Sequence, residues 1–85
     1  MANMLEVEIY SRPGCHLCDE AKAIIEGVRR RFSFNLNVVN VESDPELEKR
    51  HGEHIPVVFI NGDEAFRYHV DAVEFEEKVK SLWRT

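Results

Sequence analysis

The fold turns on Ser11-Arg12-Pro13-Gly14-Cys15-His16-Leu17-Cys18. Upstream of it, Leu5, Val7 and Ile9 alternate with Glu6 and Glu8 before Tyr10. That period of two predicts a short strand running into the Pro-Gly turn. Downstream, Leu17, Ala21, Ile24, Ile25 and Val28 recur at helical spacing, while Asp19, Glu20, Lys22, Glu26 and Arg30 take the remaining positions. The pattern is one face of an amphipathic helix. The two cysteines, three positions apart, therefore sit where a strand ends and a helix begins.

Moving outward, Phe34, Leu36 and Val38 alternate with Ser33, Asn35 and Asn37, and Val38-Val39-Asn40-Val41 extends the run. A second strand, well buried, is expected here. Strand, helix, strand implies a parallel pair joined by a right-handed crossover. Asp44-Pro45 reads as the cap and first residue of a helix, because proline has no N–H to lose there and pushes its predecessor out of helical geometry. Glu46 and Glu48 suit the positive end of that helix, and Gly52 is its expected stop. Ile55–Ile60, Asn61-Gly62 and Ala65–Tyr68 read as strand, type I′ turn and returning strand, with Pro56 at the strand's start. Asp71, with Glu74 three residues later, opens a last helix carrying Ala72, Phe75, Val79 and Leu82 on one side. The expected order is β-α-β-α-β-β-α within a single domain over 1–85.

Eighty-five residues leave no room for a second domain, and 44% hydrophobic with 32% charged residues excludes a disordered chain. Eleven basic against 16 acidic residues give a net charge of −5, a field that repels nucleic acid and anionic membranes. The one basic run, Arg29-Arg30-Arg31, closes the first helix, where cations complement the dipole. The apolar run Ile55–Ile60 is far short of the ~20 residues a membrane-spanning helix needs. The first residues carry neither a basic leader nor an apolar signal core, and two cysteines are too few for a secreted disulfide framework. A cytoplasmic setting is expected, and with it chemistry at the cysteines.

A thiolate at Cys15 would face unpaired backbone N–H groups and the positive end of the helix dipole. At ~0.3–1 kcal/mol for the dipole, up to ~2 in a good geometry, a thiol of ordinary pKa about 8.5 moves towards 7. Arg12 and protonated His16 are candidate cations for lowering it further. Cys18, one turn deeper, should be the less exposed sulfur. The chemistry that fits is thiol–disulfide exchange, with Cys15 as nucleophile and Cys18 as resolving thiol. His54 is a candidate for tuning the thiolate or moving its proton, whereas His51 and His69 are expected in solvent. The rival arrangement is a metal site from Cys15 and Cys18 with His54 and His51. Its spacing is unlike that of zinc fingers, too long between Cys18 and His51 and too short between the histidines. Phe66, Phe75 and Trp83 are expected in the core, and Glu74, Glu76 and Glu77 on a solvated helix face.

Ser11–Cys18 after the first strand, His54-Ile55-Pro56 before the hairpin, and Asp71 at the last helix together resemble the glutaredoxins of the thioredoxin-like fold. The resemblance extends from Leu5 to about Trp83. It implies an α/β thioredoxin-like, glutaredoxin-type fold: a four-stranded mixed sheet with three helices. It also implies a cis bond before Pro56, with Pro56 beside the cysteines and the Ile55 backbone offered as an edge to a bound thiol peptide. Arg12 matches the place where many glutaredoxins carry a lysine that pairs with a glutathione carboxylate. His16-Leu17 stands for the common Pro-Tyr, and His54 for a threonine. Tyr68-His69-Val70 stands where a Gly-Gly pair usually lets backbone approach glutathione. These departures point to a divergent glutaredoxin-like protein, not a typical glutathione-dependent one. The usual Cys-Gly-Phe-Ser pattern of iron–sulfur glutaredoxins is missing. Expected partners are protein or small-molecule disulfides, with glutathione or a thioredoxin-type reductant as electron source. No tightly bound cofactor or metal is expected, and the chain is expected to act as a monomer.

Overall fold

Alternation in the first strand, β1 (Leu5–Ser11), sends Leu5, Val7 and Ile9 to one face of the sheet, where they are buried. The computed structural model describes residues 5–83. The elements that follow are α1 (His16–Arg29), β2 (Phe34–Asn40), α2 (Pro45–His51), β3 (Val57–Ile60), β4 (Asp63–Arg67) and α3 (Ala72–Leu82). A short 3₁₀ turn at Val41–Ser43 joins β2 to α2. The strands lie in the order β2-β1-β3-β4, with β1 parallel to β2 and antiparallel to β3, and β3 antiparallel to β4. This is the mixed sheet with three helices that the resemblance implies.

On the first face, Ala21, Ile25 and Val28 of α1 and Phe75 and Val79 of α3 pack against Leu5, Val7, Ile9, Phe34, Val58, Ile60 and Phe66. Each fully buried Val, Ile or Phe contributes roughly 1.5–3 kcal/mol of transfer free energy, so this layer dominates folding. Phe75 joins the layer through ring contacts at 6.1 Å to both Phe34 and Phe66. Phe66 and Phe75 are core residues as expected, and the partly buried Trp83 packs against the edge of that cluster, edge-on to Phe32 at 5.5 Å, and donates its indole N–H to the Ser33 carbonyl at 3.1 Å. Among the described residues no helix is long and apolar enough to cross a membrane.

Local signals set the element ends. Asp44 caps α2 by accepting the Glu46 N–H at 2.9 Å, with Pro45 in the first turn. Asp71 caps α3 by accepting the Glu74 N–H at 2.9 Å. Asn61 and Gly62 both have positive φ, 52° and 86°, as a type I′ turn requires. The basic run is structural: Arg29 donates to the Phe34 carbonyl at 3.0 Å, and Arg31 pairs with Glu76 of α3.

Three expectations need correction. β2 is an edge strand, paired only with β1, and Val38 is 52% exposed. Its apolar run looks central, but among the described residues no strand lies on its outer side. The return strand covers Asp63–Arg67 instead of Ala65–Tyr68, because Tyr68 adopts a left-handed φ of 72° that ends extended pairing. β3 starts at Val57, two residues later than expected, since the Ile55–Pro56 bond is cis and Pro56 has no N–H for the ladder.

Candidate active site

Pairing of Tyr10 with Val57, and of Val57 with Arg67, brings three chain segments to one end of the sheet. They are the cysteine turn after β1, the His54–Pro56 segment before β3, and Tyr68 after β4. Ser11 pairs with Asn40 of β2 at the same end.

The cysteine turn is built locally. The Cys15 N–H donates to the Arg12 carbonyl at 3.3 Å, with Pro13 second and Gly14 third in the turn at φ 77°. Proline followed by a residue of positive φ marks a type II turn, which favours glycine at that place. Cys15 then serves as the N-cap of α1: its backbone is extended, and its Sγ accepts the Cys18 N–H at 3.1 Å. The Cys15 carbonyl accepts the Asp19 N–H at 3.1 Å, closing the first helical turn. Cys15 and Cys18 are joined as a disulfide, with Cα atoms 5.2 Å apart. Cys18 is fully buried and Cys15 half-buried, as the helical offset requires.

The other candidate residues are engaged in different ways. Arg12, a candidate cation for the Cys15 thiolate, is tied to α2: its Nη2 donates to Glu48 Oε1 at 2.5 Å and to the Gly52 carbonyl at 2.9 Å. Its Nε is buried without a partner. His16 is 87% exposed and lies 3.2 Å from Glu20 on the next turn. His54 Nδ1 and the Tyr68 hydroxyl share a hydrogen bond of 2.7 Å, while the Tyr68 N–H donates to the Pro56 carbonyl at 2.8 Å. Tyr68 thus holds the Ile55–Pro56 segment from both sides. Pro56 is buried and Ile55 half-buried, and the Asp71 carboxylate is occupied as the α3 cap.

His51 is not in solvent. Its ring meets Tyr10 edge-on at 4.7 Å and Phe59 at 5.8 Å, on the sheet face away from α1. Burial holds its pKa below the usual 6.5, against an upward pull from Glu64 and with Arg50, Arg67 and His54 adding to the depression. Burial and Glu8 raise the neighbouring Tyr10 phenol, opposed by Arg50. Among the described residues no group of three or more His, Cys, Asp or Glu side chains could hold a metal ion. Cys15, Cys18, His51 and His54 are not gathered into one cluster among the described residues: the sulfurs are bonded to each other, His51 lies against Tyr10, and His54 bonds the Tyr68 hydroxyl.

Glu48, Gly52 and the hydroxyl of Tyr68 are the groups that sequence patterns missed. Glu48 lies 36 positions from Arg12, so no local spacing announces the pair. Tyr68 carries one weak sign, its place where a glycine pair was expected.

Residues 6–81 match the family model described as Glutaredoxin-like domain (DUF836). Over 65 residues the chain is 28% identical to a thioredoxin of Methanocaldococcus jannaschii, covering 73% of this chain and 76% of that one. It is similar to the solution structure of a Nitrosomonas europaea protein, with a TM-score of 0.76 and 27% identity over 93% of this chain and 95% of that one. A crystal structure from X. campestris matches with a TM-score of 0.74 at 24% identity, over 88% of this chain and 96% of that one. The mutant thioredoxin of Halobacterium salinarum, at 15% identity and a TM-score of 0.69 over 98% of this chain and 78% of that one, shares the fold alone.

Proposed function

The chain belongs to the Glutaredoxin-like domain family, and from that premise we propose that it is a thiol–disulfide oxidoreductase whose redox couple is Cys15 and Cys18. A thioredoxin-like redox function is supported by the family match, the thioredoxin relative and the cysteine pair. The observation that carries the finer reading is the asymmetry of the pair at the start of α1. Cys15 is the half-exposed sulfur at the N-cap and receives the Cys18 N–H, whereas Cys18 is buried. After reduction, that N–H donor and the helix dipole favour a thiolate on Cys15 over one on Cys18.

In the proposed cycle the Cys15 thiolate attacks a substrate disulfide. A Cys15–substrate S–S bond forms as the substrate S–S bond breaks, and the departing sulfur takes up a proton. Deprotonated Cys18 then attacks Cys15 Sγ, forming the Cys15–Cys18 bond and releasing the second substrate thiol. Two electrons and two protons pass from protein to substrate. An external thiol reductant returns the dithiol, which suits a reducing cytoplasmic setting.

A glutathione redox titration with thiol trapping and intact-mass readout tests the couple. The expected result is a reversible two-electron transition lost in both Cys15→Ser and Cys18→Ser. Cys15→Ser should also abolish reduction of a peptide disulfide, while Cys18→Ser should accumulate a mixed disulfide. Full disulfide reduction by Cys15→Ser would refute the assignment of the nucleophile.

A further inference from the structure

We propose that Glu48 makes the dithiol site select against small anionic thiols such as glutathione, leaving neutral or basic polypeptide disulfides as its substrate class. This rests on the redox reading above and specifies its substrate. Glutathione carries two carboxylates and one ammonium group at neutral pH. Holding it beside Cys15 requires a free cation or free backbone donors.

The cleft next to the cysteine turn measures about 190 Å³ and includes Arg12, Gly14, Asp19, Lys22 and Asn40 in its walls. That is smaller than the roughly 300–1,000 Å³ usual for small-molecule pockets. Each of its two cations has an acidic neighbour. Arg12 is paired with Glu48 at 2.5 Å and with the Gly52 carbonyl, and Lys22 lies 4.0 Å from Asp19. The Arg12–Glu48 pair has a built seat: a Cβ on Gly52 would come within 2.5 Å of the Glu48 carbonyl and 3.0 Å of Arg12 Nη2. Gly52 has an ordinary helical φ of −55°, so close approach and not handedness is what requires glycine there.

The remaining charges near Cys15 are unfavourable to an anion. Asp19 and Glu20 stand in the first turns of α1, and Glu20 is offset only by His16 when that ring is protonated. Outside that cleft, after β4, the Tyr68 N–H already donates to the Pro56 carbonyl. A polypeptide laid across this end of the sheet needs no such cation, and basic residues flanking its disulfide would meet Asp19 and Glu20 favourably.

The test uses the oxidised protein with two probes, glutathione and neutral 2-mercaptoethanol. In each case the probe thiolate attacks Cys15 Sγ and forms a mixed disulfide as the Cys15–Cys18 bond breaks, with Cys18 sulfur taking the proton. A second probe thiol releases the probe disulfide and leaves the protein dithiol. Rates come from acid quench, alkylation and intact mass. The glutathione-to-mercaptoethanol rate ratio cancels any change in the intrinsic reactivity of the protein disulfide. Glu48→Gln, which keeps an oxygen acceptor for Arg12, should raise that ratio roughly two- to five-fold, or ~0.4–1 kcal/mol at 1.36 kcal/mol per tenfold. Asp19→Asn, at an exposed position that leaves Arg12 untouched, should move it in the same direction. Added salt should shrink both effects. An unchanged or lowered ratio in Glu48→Gln overturns the proposal, whatever Asp19→Asn does, while leaving the redox couple standing. No exchange with mercaptoethanol in the wild-type protein would remove the redox couple itself, and the proposal with it.

Discussion

The two faces of the sheet are held by different physics. Beneath α1 and α3, side chains such as Val7, Ile9, Ile25, Val58, Phe75 and Val79 form a layer with almost no solvent exposure. On the opposite face α2 buries none of its own residues fully. It is held by the Asp44 cap, by Arg12 through Glu48 and the Gly52 carbonyl, and by the packing of His51 against Tyr10 and Phe59. Apolar burial is non-directional and indifferent to pH. Contacts of the second kind fail when one atom is misplaced or one group titrates, and they are the ones that reach the cysteine turn through Arg12.

The sharpest way to break this contrast is to truncate the first face. Phe75→Ala should cost about 3–5 kcal/mol in urea denaturation, as a cavity between Phe34 and Phe66 would. A loss below about 1 kcal/mol would mean that this layer is not what holds the fold. Next in size is Gly52→Ala, where the new methyl meets Glu48 and Arg12 and forces a shift of the α2 terminus. Roughly 1–3 kcal/mol is expected, the usual cost of overpacking. Unaltered stability would show that the Arg12–Glu48 seat can yield freely.

The smallest effect is a pH dependence confined to the second face. Folding lowers the His51 pKa from 6.5, so below that value the unfolded chain binds the proton more readily than the folded one. This group's contribution is complete above about pH 6.5 and is lost as pH falls towards the depressed folded value. Melting temperatures from about pH 8 to about pH 5 should therefore decline more in the wild type than in His51→Phe, which keeps an aromatic ring but cannot titrate. Parallel profiles would remove His51 from the pH response.

Much of the fold was legible because its signals are local. Asp44-Pro45 and Asp71 announce helix starts, since a cap bonds within two or three residues of itself. Asn61-Gly62 announces a hairpin because both positions must take positive φ. The cysteine pair was legible for the same reason, with its turn, cap and first helical bonds all lying between Arg12 and Asp19. β2 misled because a run such as Val38-Val39 carries no record of whether a neighbour will lie on its outer side. His51 misled because its surroundings come from β1 and β3, both distant in sequence.

Gly52 divides the two cases most clearly. Its place at the end of α2 and the clash that a Cβ would make with the Glu48 carbonyl are local matters, while the guanidinium that its own carbonyl receives comes from an arginine forty residues earlier. The sequence alone determined the order of elements, the helix starts, the hairpin and the position of the dithiol, since backbone hydrogen bonding and side-chain periodicity act over a few residues. Only the tertiary structure decided which cations near Cys15 are already paired, which strand lies at the edge, and that Tyr68 closes on His54. Charge pairing and close approach depend on distance in space, which chain spacing does not encode.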